Sequence, residues 1–155
     1  MNNQRRTVLK SGSGAALLGM LAAAGIITPG MALADWNKAA FDAKSMADTL
    51  KALGVAGTTD SKDVQVTGPD IAENGAVVPV GVASTLPNIS MVAILIEKNP
   101  NALAASFVLP EGTEASVQTR VKMGQTSNIY ALVKSDGKFF MATKEIKVTL
   151  GGCGG

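Results

Sequence analysis

The sequence contains no histidine and one cysteine, and these two scarcities exclude most familiar catalytic sites. Without histidine the chain cannot form Ser-His or Cys-His pairs, histidine metal sites or the usual neutral-pH general base. The single thiol of Cys153 excludes an internal disulfide, a Cys-x-x-Cys redox pair and a cysteine-rich zinc site. We therefore expect a protein that is not an enzyme and binds no cofactor or metal. An enzyme that uses paired carboxylates is the weaker alternative.

The N-terminal segment lacks acidic residues and reads as an export signal. Arg5, Arg6 and Lys10 precede an apolar run over residues 15–27, and small residues end the segment at Ala34. This order of a basic region, an apolar region and a small-x-small site is typical of a secretory signal. The pattern predicts that residues 1–34 are removed by cleavage after Ala34.

The pair Arg5-Arg6 is typical of a twin-arginine signal, which predicts a periplasmic protein. Gln4 and Val8 depart from the usual residues of that signal, so the general secretory route is an open alternative. An uncleaved membrane anchor is less favoured, because residues 15–27 are shorter than the roughly 20 apolar residues that a spanning helix needs.

Cleavage also removes the excess of positive charge. The full chain has 14 basic and 12 acidic residues, and the signal holds three of the basic ones, which leaves 11 against 12. Because phosphate binding needs clustered Lys and Arg, we expect no nucleic-acid partner and, after cleavage, no membrane association.

The segment after the signal begins with a helical pattern. Residues 35–53 lack proline and glycine and repeat apolar residues at helical spacing, which predicts one amphipathic helix ended by Gly54. The stripe consists of Trp36, Ala40, Ala43, Ala47 and Leu50.

Short β-type runs separated by turn residues fill the rest of the domain and predict an all-β antiparallel sandwich. The predicted strands cover residues 64–66, 77–84, 89–97, 106–109, 116–123, 129–134 and 139–150. Asp136-Gly137 predicts a tight hairpin, because a type I′ turn needs positive φ at both central residues. Pro79 lacks the N–H of a central strand, which predicts an edge strand or a bulge there.

The chain ends in Gly-Gly-Cys-Gly-Gly directly after the last predicted strand. Glycines around one cysteine leave nothing to pack, so we expect residues 151–155 to form a mobile arm after a domain of residues 35–150. A thin arm with a terminal thiol suits a carrier that presents a covalently bound group to other enzymes. A frayed end, or a cysteine that links subunits, is the simpler alternative. The proposed attachment site is Cys153, and the arm glycines are Gly151, Gly152, Gly154 and Gly155.

The terminal Gly-Gly-Cys-Gly-Gly and several internal segments resemble the SoxY family of sulfur carriers from bacterial thiosulfate oxidation. The internal segments are residues 69–75 leading into 77–80, residues 96–100, residues 119–123 and residues 147–149. The resemblance implies an immunoglobulin-like sandwich and a heterodimer with a SoxZ-like sandwich subunit.

The same resemblance implies that Cys153 receives thiosulfate from a haem-containing enzyme. A sulfate-releasing hydrolase and a sulfane dehydrogenase then process the bound group. Two other classes stay open from the residues alone. One is a ubiquitin-like carrier that bears a thiocarboxylate on Gly155, and the other is a structural adaptor crosslinked through Cys153.

Overall fold

The computed structural model describes residues 36–149. The export signal of residues 1–34 and the arm of residues 151–155 lie outside the described residues, so both stay predictions. The chain divides into two units, Met1–Trp36 and Asn37–Gly155, and the second contains every element described below. Within residues 36–149, none of the helices is long and apolar enough to cross a membrane.

Two short helices replace the single helix that we expected: α1 covers Lys38–Asp42 and α2 covers Met46–Ala52. The chain is extended at Ala43, with φ −60° and ψ 135°, and the Ser45 side chain then caps α2 by accepting the N–H of Asp48 at 3.0 Å. Serine is a preferred N-cap because its hydroxyl satisfies a free amide of the first turn. The prediction of one helix was therefore wrong at the break.

The predicted glycine ending of the helical segment is confirmed. Gly54 has φ +75° and donates its N–H to the carbonyl of Lys51, and the next amide, of Val55, donates to Leu50. These two bonds are the Schellman arrangement that closes helices with a left-handed glycine. Because of the break, Ala47 of the expected stripe is exposed and Thr49 is buried instead.

In the described range, residues 36–149, nine strands form two sheets. They are β1 (Thr59–Asp60), β2 (Val64–Thr67), β3 (Ile71–Ala72), β4 (Val78–Ser84), β5 (Ile89–Ile96), β6 (Leu103–Val108), β7 (Ser116–Val121), β8 (Ser127–Ser135) and β9 (Lys138–Val148). The larger sheet has the order β1-β9-β8-β5-β6, with β3 also paired to β9, and the smaller sheet has the order β2-β4-β7. The seven longer strands confirm the predicted ones, whereas β1 and β3 were not predicted.

The two sheets face each other across an aliphatic core, and the helices cover the outer face of the larger sheet. Inward residues include Val80 of β4, Ile94 of β5 and Ile129 of β8, all essentially without solvent exposure. On the other face, Leu95 and Leu132 pack with the helices in a second buried cluster. Strand β5 is thus buried on both faces, which explains why its sequence is a continuous apolar run.

Pro79 does not lie on an edge strand, and that prediction was wrong. Strand β4 is the central strand of the smaller sheet, between β2 and β7. Pro79 has Arg120 as its partner on β7, but the pairing with β2 ends at Thr67 and Gly81, so no β2 residue lies opposite the proline. The missing N–H is tolerated because β2 is shorter than β4.

The predicted hairpin at Asp136-Gly137 is confirmed. Both residues have positive φ, 47° and 76°, and Ser135 pairs with Lys138 across the turn. The Asn88 amide donates to the Asp136 carboxylate at 2.9 Å, which ties this turn to the loop that precedes β5.

Candidate functional site at the end of the last strand

Three hydrogen bonds hold the end of β9, immediately before the predicted arm. The N–H of Lys147 donates to the carbonyl of Asp70 at 3.0 Å, and the N–H of Thr149 donates to the carbonyl of Ala72 at 3.1 Å. Between them, the N–H of Val148 donates to the Thr126 hydroxyl at 2.9 Å. The backbone is therefore fixed as far as Thr149, the last described residue.

The backbones of Gly75 and Met123 approach each other closely next to this strand end. The N–H of Met123 donates to the carbonyl of Gly75 at 2.7 Å. A Cβ atom on Gly75 would overlap the Met123 carbonyl oxygen and would lie 2.9 Å from Cγ1 of Val148. Glycine is required at position 75 because no other residue leaves this space free.

The side chain of Asn99 joins a further segment to the same place. Its amide nitrogen donates to the carbonyl of Lys122 at 2.7 Å, and its oxygen accepts the N–H of Gly124 at 3.3 Å. One asparagine thus satisfies two backbone groups of the turn that follows β7.

We call these contacts the strand-end network, defined by Asp70, Ala72, Gly75, Asn99, Met123, Thr126, Val148 and Thr149. The segments that carried the resemblance are residues 69–75, 96–100, 119–123 and 147–149, and each contributes to it. Sequence reasoning noted those segments but not that they meet, and it missed Thr126. Ala72 and Thr149 lie 77 residues apart in the chain. A single hydrogen bond between residues so far apart leaves no periodic pattern in the sequence.

Charged side chains surround the strand end. Lys144 Nζ donates to the Asp70 carboxylate at 2.6 Å, so an ion pair joins β9 to the residue before β3. The hydrogen bond from Lys144, and then its positive charge, hold the pKa of Asp70 below its ordinary value of 3.8, with a smaller contribution from Lys147. The Asp70 side chain is exposed, so solvent screens this pair.

An open groove of about 800 Å³ lies beside the strand end. Gly68, which lines it, approaches Ile146 of β9, and Arg120 lies on its rim. Within residues 36–149, no three acidic or cysteine side chains come together as a metal site. The other lining residues are Thr67, Pro69, Pro79, Val80, Gly81, Gln118 and Thr119.

The residues predicted to carry the chemistry all lie beyond the described range. One residue, Leu150, separates Thr149 from the predicted arm, which consists of Gly151, Gly152, Cys153, Gly154 and Gly155. The structure therefore describes the support of the predicted arm, and the arm itself stays a prediction.

Over the described residues, the chain forms a small β-sandwich with two short helices, and hydrogen bonds hold its last strand at one end of the sandwich. The family of sulfur oxidation protein SoxY matches residues 50–153, which is most of the chain. The chain belongs to the SoxY family. Among the curated proteins, none matches the chain.

A solved structure agrees with this assignment. The structure of the sulfur carrier protein SoxY from Chlorobium limicola f thiosulfatophilum is 33% identical, with a TM-score of 0.60, and the match covers 67% of this chain and 96% of that one. A superoxide reductase (neelaredoxin) variant from Ignicoccus hospitalis, E23A, is 21% identical with a TM-score of 0.51, covering 64% of this chain and 87% of that one. At that identity, the second similarity concerns the fold alone.

Proposed function

We propose that this protein is a periplasmic sulfur carrier that holds sulfur intermediates derived from thiosulfate on Cys153. One observation carries the proposal: the match to the SoxY family extends to residue 153, the only cysteine of the chain. The similar structure from Chlorobium limicola f thiosulfatophilum is itself a sulfur carrier protein. We further propose that residues 1–34 direct export and are cleaved after Ala34.

The strand-end network supports this role mechanically. A carrier arm needs a fixed root and a freely rotating tip, and the bonds to Asp70, Ala72 and Thr126 fix the backbone up to Thr149. The glycines that follow have the largest backbone freedom of any residue. Residues 151–153, when extended, reach roughly 10 Å. That length brings the thiol clear of the sandwich and into the channel of a partner enzyme.

The chemistry balances with three partner enzymes. In the first step the Cys153 thiolate and the outer sulfur of thiosulfate form an S–S bond, and the two electrons released go to a haem-containing conjugating enzyme. In the second, a hydrolase adds water, releases sulfate and leaves a persulfide on Cys153. A sulfane dehydrogenase then oxidises the outer sulfur atom to a sulfonate with oxygen atoms from water, and the electrons leave through that enzyme. A second hydrolysis releases this sulfur as sulfate and restores the Cys153 thiol. Each catalyst belongs to a partner, which fits a chain without histidine.

We also propose an immunoglobulin-like sandwich that forms a heterodimer with a SoxZ-like sandwich subunit. The strand order supports the first part. The order β2-β4-β7 in one sheet corresponds to strands A, B and E of an immunoglobulin sandwich, and the order β9-β8-β5 in the other corresponds to strands G, F and C. The heterodimer rests on membership of the family.

Mass spectrometry of the intact protein from cells that oxidise thiosulfate tests the carrier role. We expect species that carry one S₂O₃ group or one added sulfur atom, both confined to the peptide with Cys153 and both removed by a thiol reductant. The variant Cys153→Ser should carry neither and should abolish thiosulfate oxidation. A thiocarboxylate carrier would tolerate that substitution, since its sulfur is bound to Gly155. An unmodified Cys153 during active turnover would contradict the proposal.

A further inference from the structure

The loop that precedes β4 contains the only Asn-Gly pair of the chain, Asn74-Gly75. Asparagine is chemically labile, because the backbone nitrogen of the next residue can attack its side-chain carbonyl carbon and displace ammonia. Glycine in the next position favours this attack, since it has no side chain to obstruct it and its backbone rotates freely. Asn74 is also exposed, so water reaches it. The pair therefore has the composition and the access that deamidation requires.

Both reacting groups are favourably placed within this loop. Among the residues that the structure describes, the N–H of Gly75 has no acceptor, so its nitrogen is free to act as the nucleophile. The side-chain oxygen of Asn74 accepts the N–H of Ala76 at 2.9 Å, which closes a hydrogen-bonded ring that includes the nitrogen of Gly75. This bond also polarises the side-chain carbonyl and makes its carbon a better target.

The folded turn nevertheless restrains the reaction. Ring closure requires the peptide group between Asn74 and Gly75 to rotate. The Asn74 carbonyl is held by the N–H of Val77 at 3.4 Å, and the Gly75 carbonyl is held by the N–H of Met123 at 2.7 Å. Gly75 has no room to shift, because even a Cβ atom there would overlap the Met123 carbonyl oxygen. Deamidation therefore proceeds through a local opening that separates Gly75 from Met123.

We propose that Asn74 is a deamidation site, that opening of the strand-end network controls the rate of its deamidation, and that the product loosens the end of β9. Attack by the Gly75 nitrogen forms a five-membered succinimide ring and releases ammonia. Water then cleaves one of the two carbon–nitrogen bonds that this nitrogen makes to the ring carbonyls. Cleavage at the side-chain carbon gives aspartate, and cleavage at the main-chain carbon gives isoaspartate. The net change is one water gained and one ammonia lost, with no oxidation or reduction.

Isoaspartate at position 74 does not fit the folded turn. Its main chain runs through the former side chain, so the backbone that enters Gly75 is longer by one methylene group. Gly75 lies between the Met123 carbonyl oxygen and Cγ1 of Val148, and the space on that side is already too small for a Cβ atom. The longer backbone cannot return without displacing one of them, so a transient opening becomes permanent. The proposal does not depend on the carrier role of Cys153.

Incubation of the full chain at mildly alkaline pH, folded in one sample and unfolded in urea in the other, tests the site and the control of its rate. Peptide mapping locates the modified residue, and methylation by an isoaspartyl carboxyl methyltransferase identifies isoaspartate. We expect isoaspartate at Asn74 in both samples, with slower formation in the folded protein. Asn99→Ala removes the two hydrogen bonds that hold the backbone on either side of Met123. The rate in the folded protein should then rise roughly tenfold.

Asn101→Ala is the matched control. It also removes two hydrogen bonds of an asparagine in the same loop, but their partners are Phe41 and Lys44 beside α1. The rate at Asn74 should stay unchanged in this variant. Thr126→Val removes the bond to the Val148 N–H and should act in the same direction as Asn99→Ala. Circular dichroism should show that all these variants fold.

Hydrogen exchange of the separated isoaspartate form measures the effect of the product. The amides of Met123 and Thr149 should lose protection, whereas the amide of Ile94 in the core should keep it. Asn74→Asp carries the same charge on an ordinary backbone, and its carboxylate can still accept the N–H of Ala76. This variant should therefore keep the protection at the strand end.

Four results would overturn the proposal. One is an Asn74 that deamidates equally fast in the folded and the unfolded chain. Another is a folded protein in which Asn74 stays intact long after the unfolded chain has reacted completely. The third is an isoaspartate form that retains full protection at Met123 and Thr149. The last is an equal increase of the rate by Asn99→Ala and Asn101→Ala.

Discussion

At the scale of single residues, the most consequential position in the described structure is Gly75. Its missing side chain lets the Met123 carbonyl and the Val148 side chain approach from two sides. The sequence alone showed Gly75 only as the last residue of a segment that resembles the SoxY family. It could not show that the space is needed by residues 48 and 73 positions further along the chain, because close approach is a property of the assembled sheets.

Gly75→Ala should destabilise the protein by about 1–3 kcal/mol, because the added methyl group has no free space and the neighbouring backbone must shift. The free energy of unfolding in urea measures the effect. Gly124→Ala is the control, since a Cβ atom there meets nothing within 4 Å. Equal free energies of unfolding for the two variants would contradict this prediction, because they would mean that the backbone around Met123 and Val148 accommodates the added methyl group at no cost.

Turn and cap residues at other positions show what residue patterns reveal and what they miss. Gly54 and Asp136-Gly137 were predicted correctly, because positive φ has a strong preference for these residue types. The break at Ser45 was missed. A serine between two helical turns is as compatible with an exposed helix position as with a cap, and tertiary packing against Leu95 and Leu132 decided the outcome.

At the scale of elements, the two-residue strand β3 is attached to β9 by backbone pairing and by the ion pair between Asp70 and Lys144. Neither β1 nor β3 was predicted, because two residues show no alternation. The position of β4 was predicted wrongly, since the rule for proline applies to a ladder on both sides and β2 ends before Pro79. Relative strand length is not visible in the sequence of either strand.

Asp70→Asn should remove a small, pH-dependent stabilisation of the β3–β9 attachment. The pKa of Asp70 is lowered in the folded protein, so its contribution is present above pH 3.8 and is lost as the pH falls through the folded value. We expect the unmodified protein to have the higher Tm near neutral pH. The difference should vanish at a pH below the folded pKa.

Thermal unfolding followed by circular dichroism between about pH 2 and pH 7 measures this difference. Glu145→Gln, at another exposed carboxylate on β9, serves as the control for the loss of one negative charge. A Tm difference for Asp70→Asn that persists unchanged at the acid end would mean that the carboxylate acts through its shape and not through its charge.

At the scale of the whole molecule, the sequence predicted the sandwich and the family correctly. It did not predict how the segments of the strand-end network are arranged. Seven short runs with alternating or continuous apolar residues indicated two facing sheets, and the core of Val80, Ile94 and Ile129 confirms them. The strand-end network depends on which strands become neighbours. Strand order is a global property that no local segment specifies.

The proposed export also concerns the whole molecule, because the twin-arginine route, if it is the one used, transports folded proteins. Arg5→Lys combined with Arg6→Lys keeps the positive charge of the signal but removes the arginine pair. We expect the uncleaved precursor to accumulate in the cytoplasm and no mature protein to reach the periplasm. For the protein with the original Arg5-Arg6 pair, the intact mass of the periplasmic form should correspond to a chain that begins at Asp35. Undiminished export of the double variant would assign the general secretory route.

Burial of β5 on both faces has a consequence for how the molecule opens. Its amides, and those of β8 beside it, lie under the helices on one side and under the smaller sheet on the other. They should exchange only when the entire fold is lost, whereas the two-residue pairing of β1 with β9 belongs to the weakest cooperative units. The edge of the larger sheet at β1 can therefore loosen and re-form many times while the interior and the strand end stay closed. In the proposed carrier role, partner enzymes would contact the surface repeatedly, and a local opening at that edge would not expose the core to aggregation.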